Sequence, residues 1–323
     1  SARGRDRAAA RSRLQPLSLQ MPMPRWWPAF ALLAMCASGA ASAQTPSSGT
    51  WPGATTPPPA PSVEAVTSPT RASSVELELR PRFGGTEATA INHLAGPVEV
   101  TLLSDGPPPH ATPVLPARVT VPGGGRLVIA QLTDGAAGTR LRLVAIPGLP
   151  TARARNVEYL YPLRDAPVRI AQGFGGGFSH DDDENRHAVD FAVPAGTPVL
   201  AARDGVVMQV ESGASARLDP DAIVDAGDDR VRGNFIRVLH DDGTMALYAH
   251  LQQAGVVVAP GARVLRGTII GFSGNTGLSA APHLHFVVQA NRGMRLESLP
   301  FRMAGPDGPL RFGQVRADTD APP

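Results

Sequence analysis

Short apolar runs separated by glycine and proline clusters dominate the sequence after about residue 73, and this pattern constrains the fold most strongly. The chain has 34 glycines and 33 prolines among 323 residues. Residues 97–103 and 127–132 are apolar runs of strand length, and turn-forming clusters at 106–109 and 122–125 lie between them. Runs bounded in this way indicate β-strands and leave little room for long amphipathic helices. The sequence therefore predicts an all-β protein.

Changes in this pattern divide the chain into segments. Residues 44–72 are rich in Thr, Pro, Ser and Ala, and we predict a linker because such a segment buries too little apolar surface to offset chain entropy. Residues 73–150 have strand-like runs at the spacing of a small β-sandwich, which we interpret as an accessory domain. Residues 151–315 contain six of the eight histidines and are predicted to be the functional domain, followed by a disordered tail at 316–323.

The predicted functional domain shows a weak internal repeat. Residues 193–199 and 258–264 have similar turn sequences, and each is followed by a β-run, at 205–210 and at 267–272. A turn followed by a hairpin, used twice, predicts a β-barrel-sandwich made of two related halves.

Residues 1–43 are interpreted as an upstream extension and a signal peptide. Arg25 precedes an apolar stretch at 26–36, and Ala41-Ser42-Ala43 fits a cleavage site, so the protein is predicted to be exported and then periplasmic or secreted. The apolar stretch is shorter than the ~20 residues that a transmembrane helix needs, so no stable membrane span is expected. Cys36 is the only cysteine, which excludes a disulfide framework; lipidation of Cys36 stays an alternative to the favoured cleavage.

Charge and composition exclude two further classes of protein. Residues 1–43 carry six arginines and one aspartate, so without them the net charge changes from +2 to −3. Nucleic-acid binding needs a basic face, and the remaining sequence shows none. The sequence contains no lysine, which excludes a lipoyl or biotinyl carrier because those domains attach their cofactor to a lysine. The oligomeric state is not predicted.

Four residues of metal-ligand or acid–base type stand out in the functional domain. His283 and His285 are two positions apart in an apolar run and therefore lie on one face of a strand, where one imidazole can bind a metal while the other transfers protons. Asp190 lies inside another apolar run, where a carboxylate is costly unless it is paired or bound to a metal. His250 ends a third run.

These residues lie in motifs that resemble the lysostaphin/LytM-type zinc metallopeptidases over residues 174–289. The motifs are the Asp-containing run at 190–199, Tyr-Ala-His-Leu at 248–251, Ser-Gly-Asn-Thr-Gly at 273–277 and Pro-His-Leu-His-Phe at 282–286. The resemblance implies a LytM-type β-barrel-sandwich whose antiparallel sheets form an open groove. It also implies a Zn²⁺ held by a histidine, Asp190 and His285, with His250 and His283 as general base or acid. Three protein ligands leave zinc an open position for water.

The remaining zinc ligand has two candidates. The family usually has a histidine four residues before the aspartate, but Arg186 occupies that position here. His187 is three residues before Asp190, and this odd spacing places the two on opposite faces of a regular strand. His180 ends a glycine-rich segment and could return to the site through the acidic loop at 181–184. We favour His180 and keep His187 as the alternative.

The predicted function is zinc-dependent hydrolysis of peptide bonds in peptidoglycan stem peptides or cross-links. The resemblance implies peptidoglycan as the substrate, and predicted export agrees with the location of peptidoglycan. The alternative is a catalytically inactive LytM-type domain that binds peptidoglycan or activates an amidase, because Arg186 is the kind of change that such domains carry. The peptide bond that is cut and the role of the accessory domain are not predicted.

Overall fold

The computed structural model describes residues 64–67, 74–133, 138–218 and 229–313, of which 64–67 are described by their backbone alone. All of these residues belong to one compact unit that comprises Pro57–Pro323. The predicted leader at 1–43, most of the linker at 44–72 and the tail at 316–323 lie outside the described residues. The regular secondary structure of the described part consists almost entirely of strands, so the predicted all-β class is confirmed.

The first eight strands form the predicted small sandwich of two four-stranded sheets. Their bounds are β1 (Glu64–Thr67), β2 (Val75–Arg82), β3 (Gly85–Asn92), β4 (Val98–Ser104), β5 (Ala111–Thr112), β6 (Ala117–Val121), β7 (Arg126–Thr133) and β8 (Arg140–Pro147). One sheet has the order β1-β8-β4-β6 and the other β2-β3-β7-β5. Strand β1 falls inside the segment predicted as linker and pairs in parallel with β8. We call β1 to β8 the N-terminal sandwich.

The remaining strands form a ten-stranded sheet and a small three-stranded sheet. Their bounds are β9 (Glu158–Leu160), β10 (Ile170–Gln172), β11 (Val189–Ala192), β12 (Pro198–Leu200), β13 (Gly205–Glu211), β14 (Asn234–Leu239), β15 (Met245–Val256), β16 (Arg263–Val264), β17 (Ile269–Ser273), β18 (His283–Asn291), β19 (Leu296–Ser298), β20 (Arg302–Gly305) and β21 (Gly308–Pro309). The main path of the large sheet is β10-β11-β18-β15-β14-β13-β16, and β21-β20-β9 form the small sheet. The one described helical segment is a 3-10 helix at Asp229–Arg232.

The two copies of the internal repeat exchange strand partners, so the hairpin predicted within each copy does not form. Strand β12 begins at the end of the first copy and β13 follows it; β16 lies at the end of the second copy and β17 follows it. Strand β12 pairs antiparallel with β17, and β13 pairs antiparallel with β16. The strands of the two copies are therefore joined antiparallel within one open sheet, as the predicted fold class requires.

Strand β18 lies at the centre of the large sheet, between β11 and β15. Its even-numbered residues Leu284 and Phe286 are fully buried in one core, where Phe286 packs edge-on against Tyr248. The odd-numbered residues, beginning with His283 and His285, occupy the opposite face because side chains alternate along a strand. The predicted division of this strand into a histidine face and a core face is therefore confirmed.

The far end of β18 meets the N-terminal sandwich. Met208, Met245 and Leu296 of the large sheet belong to the same apolar core as the sandwich residues, which include Val98 and Val100. Backbone bonds reinforce this contact, since the Met208 carbonyl accepts from the amide of Ala95 at 3.0 Å. The sandwich therefore packs at the opposite end of β18 from His283. Within the described residues, no helix has the length and apolar character that crossing a membrane requires.

Candidate metal centre

Asp190 and His285 meet because neighbouring strands place them directly opposite each other. Asp190 of β11 pairs with His285 of β18 in the antiparallel register. His285 Nδ1 lies 2.9 Å from Asp190 Oδ1, and both side chains are buried. Direct cross-strand neighbours are close enough for such contacts without any loop rearrangement.

His180 reaches the same carboxylate from the glycine-rich loop before β11. Gly175 has a positive φ of 68°, which glycine adopts at little cost, and Gly176 packs against the side chain of Gln172 where a Cβ would collide. The loop therefore turns tightly and buries His180 completely. His180 Nδ1 lies 2.9 Å from the carbonyl of Gly173, and its Nε2 lies 3.3 Å from Asp190 Oδ1.

The structure thus brings His180, Asp190 and His285 into one group. One ligand atom from each residue lies within 4.8 Å of the others. His187, the alternative to His180, is not in this group. Its Nδ1 lies 3.0 Å from the carbonyl of Ser298, and its ring packs edge-on against Phe174.

His250 joins the site through an irregularity in β15. Tyr248 points into the core, so regular alternation would send His250 to the core as well. The β14–β15 register shifts between Asn234 and Ile236, which pair with Leu251 and Tyr248, so β15 holds one extra residue at this point. His250 itself has a φ of 61°. This bulge turns the imidazole to the histidine face, as bulges beside functional sites do.

His250 and His283 form a second pair beside the three grouped residues. Their ring centroids are 4.6 Å apart. His250 Nδ1 lies 2.8 Å from the carbonyl of Thr276, and His283 Nδ1 lies 2.8 Å from the carbonyl of Ala281. A nitrogen that faces a carbonyl must carry the proton, so in the neutral rings each Nε2 is the unprotonated nitrogen. His283 Nε2 lies 3.7 Å from Asp190 Oδ1.

The charges of the site favour an ionised carboxylate. Burial acts to raise the pKa of Asp190, but contacts with His180 and His285 outweigh burial and hold this pKa well below its usual value. Burial also acts to lower the pKa of His180, and the contact with Asp190 reverses the effect, so that pKa is raised. Asp190 is therefore an anion surrounded by imidazoles.

For two other histidines, burial outweighs the remaining interactions and the net shift of the pKa is downward. It lowers the pKa of His250 to about 3, with further lowering by the nearby His283 and His285. It also lowers the pKa of His285, although Asp190 partly opposes the shift. Both rings are therefore neutral near pH 7, which is the form in which imidazole binds a metal or accepts a proton.

The three grouped residues fit a metal ion on chemical grounds. His180 Nε2 is buried and makes no hydrogen bond, although it lies beside Asp190. An orphaned buried nitrogen whose partner nitrogen faces a carbonyl is the usual arrangement of a metal-binding histidine. Two imidazoles and one carboxylate match the ligand types of a catalytic zinc site, which keeps one position for water.

Two polar side chains near the site escaped the sequence interpretation. Gln172 Nε2 donates to Ser179 Oγ at 2.9 Å and lies 3.5 Å from Asp190 Oδ2. Ser279 Oγ lies 3.1 Å from His283 Nδ1. Neither residue is of a type that indicates a site in isolation, so only their placement by the fold reveals the contact.

Part of the chain is similar to known peptidases. Residues 184–296 match the model of Peptidase family M23. The peptidoglycan DD-endopeptidase ShyA of Vibrio cholerae is 33% identical over 129 residues, which are 39% of this chain and 26% of that protein. The glycyl-glycine endopeptidase ALE-1 of Staphylococcus capitis is 40% identical over 108 residues, which are 33% of this chain and 25% of that protein.

A solved structure gives a further similarity. The catalytic domain of lysostaphin from Staphylococcus simulans is 34% identical, with 38% of this chain and 81% of that chain covered and a TM-score of 0.29. The chain thus spans only about a quarter of the two curated relatives. The family match indicates that residues 184–296 belong to a peptidase domain. Together with the curated relatives, it confirms the lysostaphin/LytM-type resemblance for this part of the chain.

Proposed function

We propose that this protein is a zinc-dependent endopeptidase that hydrolyses peptide bonds in peptidoglycan stem peptides or cross-links. The observation that carries the proposal is the convergence of His180, Asp190 and His285, whose ligand atoms lie within 4.8 Å of one another. This group lies beside His250 and His283, and all five residues except His180 fall inside the segment that matches the M23 peptidase family. Three potential zinc ligands and two acid–base groups are the components of metal-assisted amide hydrolysis.

In this proposal the five residues have separate roles. His180 Nε2, a carboxylate oxygen of Asp190 and His285 Nδ1 would hold the zinc, which when bound would supply a Lewis acid and an activated water. His250 and His283 present unprotonated Nε2 atoms, and each can accept a proton there and return it to a leaving amine. The carbonyls of Thr276 and Ala281 keep the Nδ1 protons in place, which fixes the tautomer of each ring.

Peptidoglycan as the substrate is supported by the relatives and by the predicted leader. ShyA is named a peptidoglycan DD-endopeptidase and ALE-1 a glycyl-glycine endopeptidase. The signal peptide predicted within residues 1–43 would deliver the chain to the periplasm or the outside, where peptidoglycan is found. We therefore propose an exported enzyme of cell-wall remodelling.

The proposal is tested by separating metal binding from turnover. Asp190→Ala and His285→Ala should lose bound zinc and activity together, because each removes one of three ligands. His250→Ala and His283→Ala should keep zinc but reduce turnover by about 100-fold or more, the usual contribution of a general acid or base. Zinc content is measured by atomic spectroscopy on the purified protein, and activity by mass spectrometry of muropeptides released from sacculi.

Two results would overturn this assignment. If the unaltered protein binds no metal and releases no muropeptides, the inactive peptidoglycan-binding or amidase-activating alternative replaces it. If His250→Ala or His283→Ala removes the zinc, the altered histidine is a metal ligand and its proposed acid–base role is wrong.

A further inference from the structure

A buried polar connection runs from Arg237, which lies beside the N-terminal sandwich, to the loop that follows His180. Gln289 of β18 and Arg237 of β14 are almost completely buried, with 0% and 1% of their surface exposed. Arg237 Nη1 donates to Gln289 Oε1 at 2.7 Å. The other end of the same amide, Gln289 Nε2, donates to the carbonyl of Glu184 at 2.9 Å. One side chain thus links the guanidinium to the loop backbone.

The N-terminal sandwich covers this connection. Val75, Leu94 and Val98 of the sandwich line a narrow gap beside Arg237. Met245, the cross-strand neighbour of Gln289, belongs to the core shared with the sandwich. Exclusion of water strengthens each hydrogen bond in such a network and raises the cost of leaving one of its members unpaired.

The loop that receives the connection lies between two of the proposed zinc ligands. Residues 181–187 join His180 to the strand of Asp190, so their position sets the separation of these two ligands. Arg232 Nη2 binds the carboxylate of Glu184 at 2.7 Å, and the amide of Ser298 donates to the carbonyl of Asp183 at 2.7 Å. Residues 183 and 184 are therefore attached to the large sheet by their backbone carbonyls, and the Glu184 side chain is also attached to the 3-10 helix.

We propose that Gln289 is a positioning residue for the metal centre, and that the sandwich acts as a buttress by keeping the Arg237–Gln289–Glu184 connection dry. The proposal rests on the zinc site proposed above. The accessory domain packs at the end of β18 that is remote from His283. In this proposal it supports the metal centre from there, because Gln289 holds the His180 loop in position. Partners that orient metal ligands from outside typically change metal affinity 10- to 100-fold.

The test compares two amide-to-acid changes on the same strand. Gln289→Glu keeps an acceptor for Arg237 but has no donor for the Glu184 carbonyl. Asn291→Asp is the matched control, because Asn291 is also fully buried and donates to the Gly148 carbonyl at 3.2 Å, away from the loop. Zinc affinity is measured by chelator competition on the full exported chain, and amide hydrogen exchange is followed in the zinc-free protein.

We expect Gln289→Glu to weaken zinc binding about 10- to 100-fold and to accelerate exchange at residues 181–187. Asn291→Asp should retain the wild-type affinity and loop exchange even if it lowers the melting temperature. Wild-type affinity in Gln289→Glu, or an equal loss in Asn291→Asp, overturns the positioning role.

The two proposals fail in different ways. If the unaltered protein binds no zinc, the proposed metal site is refuted, and exchange in the zinc-free protein then decides the role of Gln289 alone. In that case, unchanged amide hydrogen exchange at residues 181–187 in Gln289→Glu refutes the proposal that Gln289 holds this loop in position.

Discussion

At the scale of single residues, His180 and His187 both place Nδ1 against a backbone carbonyl but differ in their distance from Asp190. His180 directs a buried Nε2 without a hydrogen bond towards Asp190, whereas His187 packs edge-on against Phe174 and lies outside the group of ligand atoms. We therefore expect His180→Ala to lose zinc and His187→Ala to retain most of it. Equilibrium dialysis against buffered zinc measures both. Loss of zinc from the His187 variant alone would show that His187, and not His180, is the zinc ligand.

His240 provides a prediction for the pH dependence of stability. Its ring is buried, and its Nδ1 lies 2.7 Å from the carbonyl of Asp204. Burial lowers the pKa of His240 from 6.5 to about 4, because it outweighs the hydrogen bond to Asp204, and the nearby Arg203 lowers it further. The folded state therefore favours the neutral ring.

The sign of the effect follows from this lowered pKa. The stabilisation is complete above pH 6.5 and is lost as the pH falls from 6.5 towards 4, on the order of 3 kcal/mol from this residue. His240→Asn keeps a donor for Asp204 and removes the titration. Its free energy of unfolding, measured with urea at pH 7 and pH 4.5, should decline less steeply than that of the wild type. Parallel declines would contradict the prediction.

Individual site residues differed in how far the sequence could place them. Asp190, His283 and His285 lie on regular strands, so side-chain alternation was enough to predict which faces they occupy. His180 depends on a turn through Gly175 and on loop closure, for which the sequence offered two candidates. Gln172 and Gln289 act through contacts between segments that are distant in sequence, and no local pattern marks such contacts.

At the scale of elements, the bulge in β15 is stabilised by Thr276. Thr276 Oγ1 donates to the Leu251 carbonyl at 2.6 Å and accepts from the Asn234 amide at 2.9 Å. Its own carbonyl binds His250 Nδ1. The Thr276 hydroxyl thus bridges the two strands at the bulge that brings His250 to the histidine face, and Asn234 Nδ2 gives the Leu251 carbonyl a second donor at 3.3 Å.

Replacing that hydroxyl should therefore affect catalysis more than metal binding. Thr276→Val removes the acceptor of the buried Asn234 amide and one of the two donors to the Leu251 carbonyl, which keeps its contact with Asn234 Nδ2. The loss costs about 1–3 kcal/mol, and we expect turnover to fall about 10-fold with zinc content unchanged. Thr101→Val is the control, because the Thr101 hydroxyl is buried without a hydrogen bond and its loss should be neutral or stabilising. Steady-state kinetics on released muropeptides compares the two. Equal turnover in both variants would contradict the role of Thr276.

The elements themselves were predictable where their apolar content was high. The runs at 97–103 and 127–132 correspond to β4 and β7. Strand β3 was missed because its sequence, Gly-Thr-Glu-Ala-Thr-Ala-Ile-Asn, is rich in small and polar residues, although Ala88 and Ala90 are fully buried. Such a strand is defined by its neighbours β2 and β7 and not by its own hydrophobicity. The bulge at His250 could not be predicted either, because one extra residue in a strand does not change the composition of that strand in a recognisable way.

At the scale of the whole molecule, the sandwich and the large sheet share a core. Met208 and Met245 are fully buried among sandwich residues that include Val100. The sequence suggested an accessory domain and a functional domain, since each has its own run of strands. It could not show their contact, because a methionine buried at a junction looks the same in sequence as one in a domain interior.

The shared core predicts that both parts unfold together. Val100→Ala shortens a fully buried side chain inside the sandwich, and Met303→Ala does so in the second core, where β20 of the small sheet packs with residues of the large sheet. Such truncations cost about 1–5 kcal/mol. In one cooperative unit, each variant lowers the free energy of global unfolding by the same amount whether it is measured from the slowest-exchanging amides of β4 or of β18. Hydrogen exchange with mass spectrometry makes both measurements in one experiment. If Val100→Ala accelerates exchange in β4 and leaves β18 unchanged, the sandwich unfolds independently, and its support of the metal centre would then be lost before the large sheet opens.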